Sequence, residues 1–438
     1  MKLIWTVTQN VWVGLRVVVI GFLVFVVPKF YIAIAESSDP VLIVETQFKL
    51  GNENITPQFL YHFVDGPKPI SIGLISNHTG LNQVGKRTVD LLREQGIQVK
   101  ALYAPEHGFS GSVGAEKKIH DNIDPTTKLP IVSLYEGHSQ FKKFKSEELK
   151  DIDAFFFDMQ DCGMRHYTYF PILYKCMELA AEHGKRIIVF DRPNPLGGVM
   201  EGPLVDPQNH SFVSIASYPL RHGMTIGELA LYCNDKVLKK KARLAVVPMK
   251  NYDRLRYSME LPVPLSPNIP NMDACKGYGF LGILGEVKPF WIGVGTKKSF
   301  RFMGVPKDLN IPTARWYELK DKLKKFGITS KPTSVYDPKK QKAMRGLKIS
   351  IDNPNKFSGF NALMTILEHF KDLGYSYAPL FNKAVGIGDV KEHFTSKLGY
   401  DPVRDKVNRQ LKEFNAKVEP YLIYKPYPVI TFMPESVA

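Results

Sequence analysis

The sequence predicts an α/β protein: a Rossmann-like three-layer domain with a mostly parallel sheet, then a smaller α+β domain. Three observations lead there. Residues from about 69 to 250 alternate short apolar runs with amphipathic segments. The apolar runs are hydrophobic on both faces, the mark of parallel strands covered by helices on either side. The segment Val263 to Asn271, with Pro264, Pro267 and Pro270 close behind Pro262, is too proline-rich for a helix or a central strand. It reads as the crossing between the two domains, residues 41–262 and 263–438.

The predicted strands are Ile70 to Ser76, Val99 to Tyr103, Ile131 to Tyr135, Ala154 to Phe157, Ile187 to Phe190 and Leu244 to Pro248. A helix is expected from Thr88 to Gln95, with Gly96 as its stop signal. Another runs from Tyr169 to Glu182, where Ile172, Leu173, Cys176, Met177 and Ala180 make one apolar face. Thr225 and Glu228 form a capping box before a third, reaching about Cys233. In the second domain, three helical stripes are Trp316-Leu319-Leu323-Phe326, Phe360-Leu363-Ile366-Leu367-Phe370 and Val403-Val407-Leu411-Phe414. Leu347 to Ile351 reads as a strand between them. No GxGxxG follows the first strand, so the motif for dinucleotide binding is missing.

Residues 1–35 carry Lys2, Arg16 and Lys29 and no acid, around the uncharged run Val17 to Val27. Ala33-Ile34-Ala35 fits a small-x-small cleavage site. The segment reads as a cleaved signal peptide or an uncleaved membrane anchor, with a buried amphipathic segment as the third reading. The first two place the folded part outside the cytoplasm, periplasmic or secreted. The net charge of +15, three of it from the leader, suits polyanionic partners such as cell-wall fragments. Nucleic acid is not expected: Lys239-Lys240-Lys241 with Arg243 lacks interleaved aromatics and reads as a solvated loop. Cys162, Cys176, Cys233 and Cys275 form no CxxC pair and no zinc spacing. Export permits one disulfide, with its pairing open.

Polar clusters follow directly on four predicted strands. They are Asn77-His78-Thr79-Gly80, Pro105-Glu106-His107-Gly108, Asp158 to Tyr167, and Asp191-Arg192-Pro193-Asn194-Pro195. In parallel sheets ligands bind beyond the carboxyl ends of the strands, so the clusters are expected to converge on one pocket. Glycoside hydrolysis needs a proton donor and usually a second carboxylate. Glu106, Asp158, Asp161, Asp191 and Glu201 are candidates, and Arg165, Arg192 and His222 suit an anionic substituent. His107 and His222 lack an HExxH or HxxxH pattern, so no metal is expected. No G-x-S-x-G elbow supports a serine nucleophile.

The same clusters resemble those of the NamZ-type exo-β-N-acetylmuramidases, long filed as a domain of unknown function. The matching segments are Asn77 with Thr79-Gly80, Ala104 to Phe109, Asp158 to Tyr169, Asp191 to Gly198, Glu201-Gly202-Pro203, Arg221 to Ala230 and Leu265 to Pro270. They come in family order, and the likeness covers roughly residues 41 to 430. The resemblance implies a site at the domain junction and no cofactor. It also implies release of non-reducing terminal N-acetylmuramic acid from β-1,4-linked peptidoglycan disaccharides and glycan chains. It points to Glu106 as the general acid, with Asp161 and Glu201 as further catalytic candidates. Asn77, His107, Asp158, Arg165, Tyr167, Asp191, Arg192, His222, Ser266 and Asn268 are the implied substrate-binding residues. One of Arg165, Arg192 and Arg221 is expected to read the lactyl carboxylate. The chain departs from the family's S-E-G-R-G-T segment, where it has Trp291-Ile292-Gly293-Val294-Gly295-Thr296; Glu286 and Arg301 are the nearby substitutes. Two rival readings are a non-catalytic binder of cell-wall fragments and a hydrolase of another bond on the same scaffold.

Overall fold

The computed structural model describes residues 47–56, 70–114, 117, 120–136, 140–255, 260–395 and 398–436. It also describes two short antiparallel strands in the leader, Val19–Ile20 and Leu23–Val24. The expected signal peptide or anchor otherwise lies outside the described residues.

Among the described residues, the first part of the chain is built on a seven-stranded sheet. Its parallel members are β1 (Ser71–Ser76), β2 (Gln98–Ala104), β4 (Pro130–Ser133), β5 (Ala154–Asp158), β6 (Arg186–Phe190) and β8 (Arg243–Val247). β3 (Asn122–Ile123) runs antiparallel along the edge of β4. β7 (Val199–Met200) lies outside the sheet. The order is β8-β6-β5-β1-β2-β4-β3. The parallel strands therefore have the doubly wound arrangement, with the direction of winding reversing between β1 and β5.

The phenylalanines of β5 show how sequence makes three layers. Successive side chains of a strand point to opposite faces. Phe156 packs with Ile72, Leu74, Leu102, Ile188 and Phe190, and with Val89 and Leu92 of α1 (Thr88–Glu94). Phe155 and Phe157 enter the larger core with Leu173 and Met177 of α2 (Tyr169–Glu182) and Leu229 of α3 (Ile226–Lys236). Each buried Phe contributes about 1.5–3 kcal/mol, so a run apolar on both faces stabilises helices on both sides. The capping box at α3 forms: Glu228 N donates to Thr225 Oγ1 at 3.2 Å, and Thr225 N to Glu228 Oε2 at 2.9 Å. All four cysteines are buried free thiols.

Residues 261–271 carry no helix or strand and lead into α4 (Met272–Leu284). β9 (Val287–Lys288) follows, and then β10 (Phe302–Pro306). β10, β12 (Lys342–Ser350) and β11 (Thr329–Asp337) form an antiparallel sheet with β12 in the middle. The three helical stripes fall on α5 (Thr313–Lys324), α6 (Gly359–His369) and α9 (Tyr400–Val418), with Phe326 and Phe370 just past the ends of α5 and α6. The short β13 (Ser376–Tyr377), α7 (Phe381–Val385) and α8 (Asp389–Thr395) lie between α6 and α9. The chain then returns to its first half: β14 (Val429–Ile430) pairs with β7, and the Tyr424 hydroxyl donates to Asp191 Oδ2 at 2.8 Å. One apolar core runs through both parts, from Phe155 to Leu411.

Candidate active site

Glu106 is set by a tight turn. β2 ends at Ala104, and Gly108 N donates to Pro105 O at 3.0 Å. His107 is held at φ 71°, a left-handed conformation costing roughly 1–2 kcal/mol outside glycine. Val113 offsets that cost by clamping His107 twice, with N to His107 O at 3.1 Å and O to His107 Nδ1 at 2.7 Å. The turn presents Glu106, only 5% exposed, to a cleft of about 500 Å³. That volume is within the usual range for a small-ligand site.

The cleft lies between the two parts of the chain. Glu106, His166 and Thr168 come from the first. The second supplies a largely apolar wall of Tyr278, Phe290, Trp291, Ile292, Val294 and Phe300. Glu286, Lys288, Asp337, Lys339 and Lys340 also line it. Thr168, just before α2, donates its hydroxyl to Glu106 Oε2 at 2.9 Å. Burial pushes the Tyr169 phenol well above its ordinary range, and the Glu106 charge adds to this. Glu106 therefore lies close to Tyr169.

Asp161 lies nearby but does not line the cleft. Its Oδ2 accepts from Gly163 N at 2.7 Å and faces His222 Nε2 at 3.6 Å. Its Oδ1 is buried and has no hydrogen-bond partner among the described residues, as is true of Asn77 Nδ2 and Gln160 Oε1. His222 Nδ1 accepts from Met224 N at 3.3 Å, which puts the ring proton on the nitrogen turned to Asp161. Burial raises the Tyr278 phenol far above its usual range, and the charges of Glu106 and Asp161 add to it. Tyr278 thus stands beside both carboxylates.

The remaining candidates do not converge on this cleft. Asp158 is fully buried at the end of β5, where Arg192 Nη2 donates to its Oδ2 at 2.8 Å and Asn52 Nδ2 to the same oxygen at 3.1 Å. Thr88 and Arg192 Nε also bond it. This network fills the crevice at the winding reversal, and Arg192 lines a separate pocket of about 180 Å³ with Gln160 and Thr79. Asp191 accepts from Gly227 N at 2.9 Å and from Thr225 Oγ1 at 2.7 Å, anchoring the start of α3. Tyr167 donates to Leu265 O at 3.0 Å. Ser266 bridges to Ile269 in the crossing segment, and Asn268 O accepts from Ser299 Oγ at 2.6 Å.

Two expectations are corrected. Glu201 is no catalytic candidate: it is 1% exposed, paired with Arg221 at 3.0 Å, and accepts from Ser358 Oγ at 2.8 Å and Gly359 N at 2.8 Å. It ties the first part to the start of α6. Nor do the three arginines expected at the lactyl group line the cleft with Glu106. Arg165 is spent on Pro203 O, Tyr218 O, Ala384 O, Val385 O and Ser214 Oγ. Arg221 is spent on Glu201 and on Phe357 O, Leu196 O and Pro354 O. Arg192 is held by Asp158 and Leu81 O. Of the two substitutes for the altered Trp291–Thr296 segment, Glu286 lines the cleft, whereas Arg301 pairs with Asp273 at 3.3 Å. Sequence reasoning missed Thr168, although it stands inside a matched segment, and the apolar wall, which no polar motif marks.

A doubly wound α/β body, with a glutamic acid facing an aromatic cleft against a second domain, is a glycoside hydrolase scaffold. The chain belongs to the NamZ exo-β-N-acetylmuramidase family. The profile of that family's N-terminal part matches residues 72–273, and that of its C-terminal part residues 277–424. The chain is 33% identical over 366 residues to the peptidoglycan β-N-acetylmuramidase NamZ of Bacillus subtilis (strain 168), covering 81% of this chain and 86% of that protein. Two crystal structures of DUF1343 family proteins from Bacteroides fragilis NCTC 9343 are similar. One has a TM-score of 0.74 at 30% identity, covering 87% of this chain and 100% of the other. The second has a TM-score of 0.65 at 27% identity, covering 86% and 99%.

Proposed function

We propose that this chain is an exo-acting β-N-acetylmuramidase that releases the non-reducing terminal N-acetylmuramic acid from β-1,4-linked peptidoglycan fragments, with Glu106 as the general acid. The observation that carries the reading is the placement of Glu106. It is the carboxylic acid of the matched Ala104 to Phe109 segment, and it faces the cleft with Thr168 bonded to one oxygen. The hydroxyl contact at Oε2 fixes the carboxyl plane, which suits transfer of a proton from Oε1 to a bridging oxygen within about 3 Å. The apolar wall excludes water from the leaving bond, and its aromatic rings suit the apolar face of a sugar.

Asp161 is the second carboxylate in this reading. Its Oδ1 has no hydrogen-bond partner among the described residues, and His222 orients its other oxygen. The leader, residues 1–35, fits export to the periplasm or beyond, where peptidoglycan is found. Turnover of a chromogenic N-acetylmuramic acid glycoside by the native protein and by Glu106→Gln tests the proposal. Loss of about 10²–10⁴-fold in the variant is expected for a general acid. Equal rates would remove Glu106 from the reaction, and no turnover by either would favour a binding protein or another bond.

A further inference from the structure

The smaller pocket stands apart from the cleft and shares no lining residue with it. Thr79 follows β1 and Gln160 follows β5, so the pocket lies beyond the carboxyl ends of the two strands where the winding reverses. Doubly wound sheets bind ligands at that point. Leu265, one of the lining residues, accepts at its carbonyl from the Tyr167 and Tyr169 hydroxyls at 3.0 Å each. His78 Nε2 donates to Pro264 O at 2.7 Å, so the crossing segment is pinned as a wall. At about 180 Å³ the pocket is below the usual range for drug-sized ligands and suits one small group rather than a disaccharide.

Two buried side chains give this pocket its chemistry. Arg192, 4% exposed, donates Nε and Nη2 to Asp158, and Nη2 also to Leu81 O at 2.7 Å. Its Nη1 has no hydrogen-bond partner among the described residues, and Asp158 balances its charge. Gln160, 3% exposed, donates Nε2 to Asp161 O at 2.9 Å and to Pro193 O at 2.8 Å. Turning that amide over would set its oxygen against two carbonyls, so Oε1 stays the acceptor. Oε1 is buried and has no hydrogen-bond partner among the described residues. Leu81, Leu261 and Leu265 add apolar surface, and the exposed Glu260 adds a negative charge.

A spare N–H donor and an unpaired buried oxygen lining one pocket fit an amide, which accepts at its carbonyl and donates at its nitrogen. A buried oxygen without a donor destabilises the empty protein, and a ligand N–H removes that penalty. An ammonium would meet the guanidinium, and a carboxylate would meet Glu260 with the Arg192 charge already matched. A neutral ligand meets neither obstacle. We propose that this pocket is a binding site for a neutral acetamido group. The group's carbonyl accepts from Arg192 Nη1, its N–H donates to Gln160 Oε1, and its methyl lies on the leucines. The inference stands on the pocket's own groups and goes beyond the muramidase reading.

The experiment follows leucine methyl signals of the native protein by NMR during titration with N-acetylglucosamine, N-acetylalaninamide, glucose and glucosamine. The first two carry the group on a sugar and on a peptide; glucose lacks it, and glucosamine puts an ammonium in its place. Either acetamido ligand is expected to shift the methyls of Leu81, Leu261 and Leu265, and the one that does so identifies the natural source as glycan or peptide. Glucose and glucosamine should leave those methyls unmoved. Leu261→Trp, which fills the pocket, should abolish the response; the methyl map of the native protein stands even where that variant fails to fold. Shifts absent from these three leucines with both acetamido ligands, or equal shifts with glucose, would overturn the proposal and leave the muramidase reading intact. Failure of the native protein to turn over a muramic acid glycoside would overturn that reading and leave the pocket's assignment standing.

Discussion

Arg165→Met separates the two roles that an arginine beside a glycosidase motif can have. The guanidinium is fully buried, and burial holds its pKa down at about 10. It donates to Pro203 O and Tyr218 O, each at 2.6 Å, to Ala384 O at 3.3 Å, and to Val385 O. These carbonyls belong to the first part of the chain and to α7 of the second. Methionine fills much of the same space but donates nothing. Four carbonyls left dry at about 2 kcal/mol each make about 8 kcal/mol. Relief of the desolvated charge returns about 3 kcal/mol, at 1.36 kcal/mol for each pKa unit. The expected loss is therefore about 5 kcal/mol, comparable to the entire stability of many domains. Urea unfolding followed by circular dichroism measures it as a shift in midpoint at constant slope. A loss below about 1 kcal/mol, together with weaker binding of muramic sugars, would refute the reasoning and return Arg165 to the substrate.

Other predictions follow from the same geometry. Glu201→Gln strips the charge from the pair with Arg221 and should cost about 3–5 kcal/mol in unfolding experiments, while the folded fraction keeps its kcat. Thr168→Val removes the hydroxyl that holds Glu106 Oε2. A fall in kcat of about tenfold with stability changed by less than about 1 kcal/mol is expected from kinetics and urea unfolding in parallel. Burial, helped by the charge of Glu228, raises Asp191 to about 6. A carboxyl that binds its proton more tightly when folded stabilises fully below its unfolded pKa of about 3.8, and that contribution is lost as pH rises through about 6. The unfolding free energy of the native protein should therefore contain a component falling by about 3 kcal/mol between pH 4 and pH 7, and Asp191→Asn should remove it.

Much of the fold was legible in the sequence because its signals are local. Phe155-Phe156-Phe157 reads as a strand buried on both faces, and Thr225 with Glu228 marks the start of α3. α4 was not legible: Gly277, Gly279 and Gly282 interrupt its pattern and lower its helix propensity, so no stripe announces it. β11 was missed for the opposite reason, being polar, largely exposed and interrupted by Pro332. In the site, Glu106 was readable because a carboxyl between Pro105 and a short polar run has no helix to cap. The roles of Asp158, Arg165, Arg192 and Glu201 were not readable. Strand-end polar residues look alike in sequence whether they face a ligand or each other, and only long-range pairing decides. The aliphatic Ile292 and Val294 show in the sequence only as a departure from a motif, and their place in the cleft needs the folded chain.

The placement of the acid is tested most directly by a crystal structure of the Glu106→Gln protein with a muramic acid disaccharide bound. The carboxamide at position 106 should lie within about 3 Å of the bridging oxygen, with the muramic ring against Tyr278 and Trp291. A disaccharide seated instead in the smaller pocket beside Arg192 and Gln160, with position 106 out of reach of the glycosidic bond, would contradict the account.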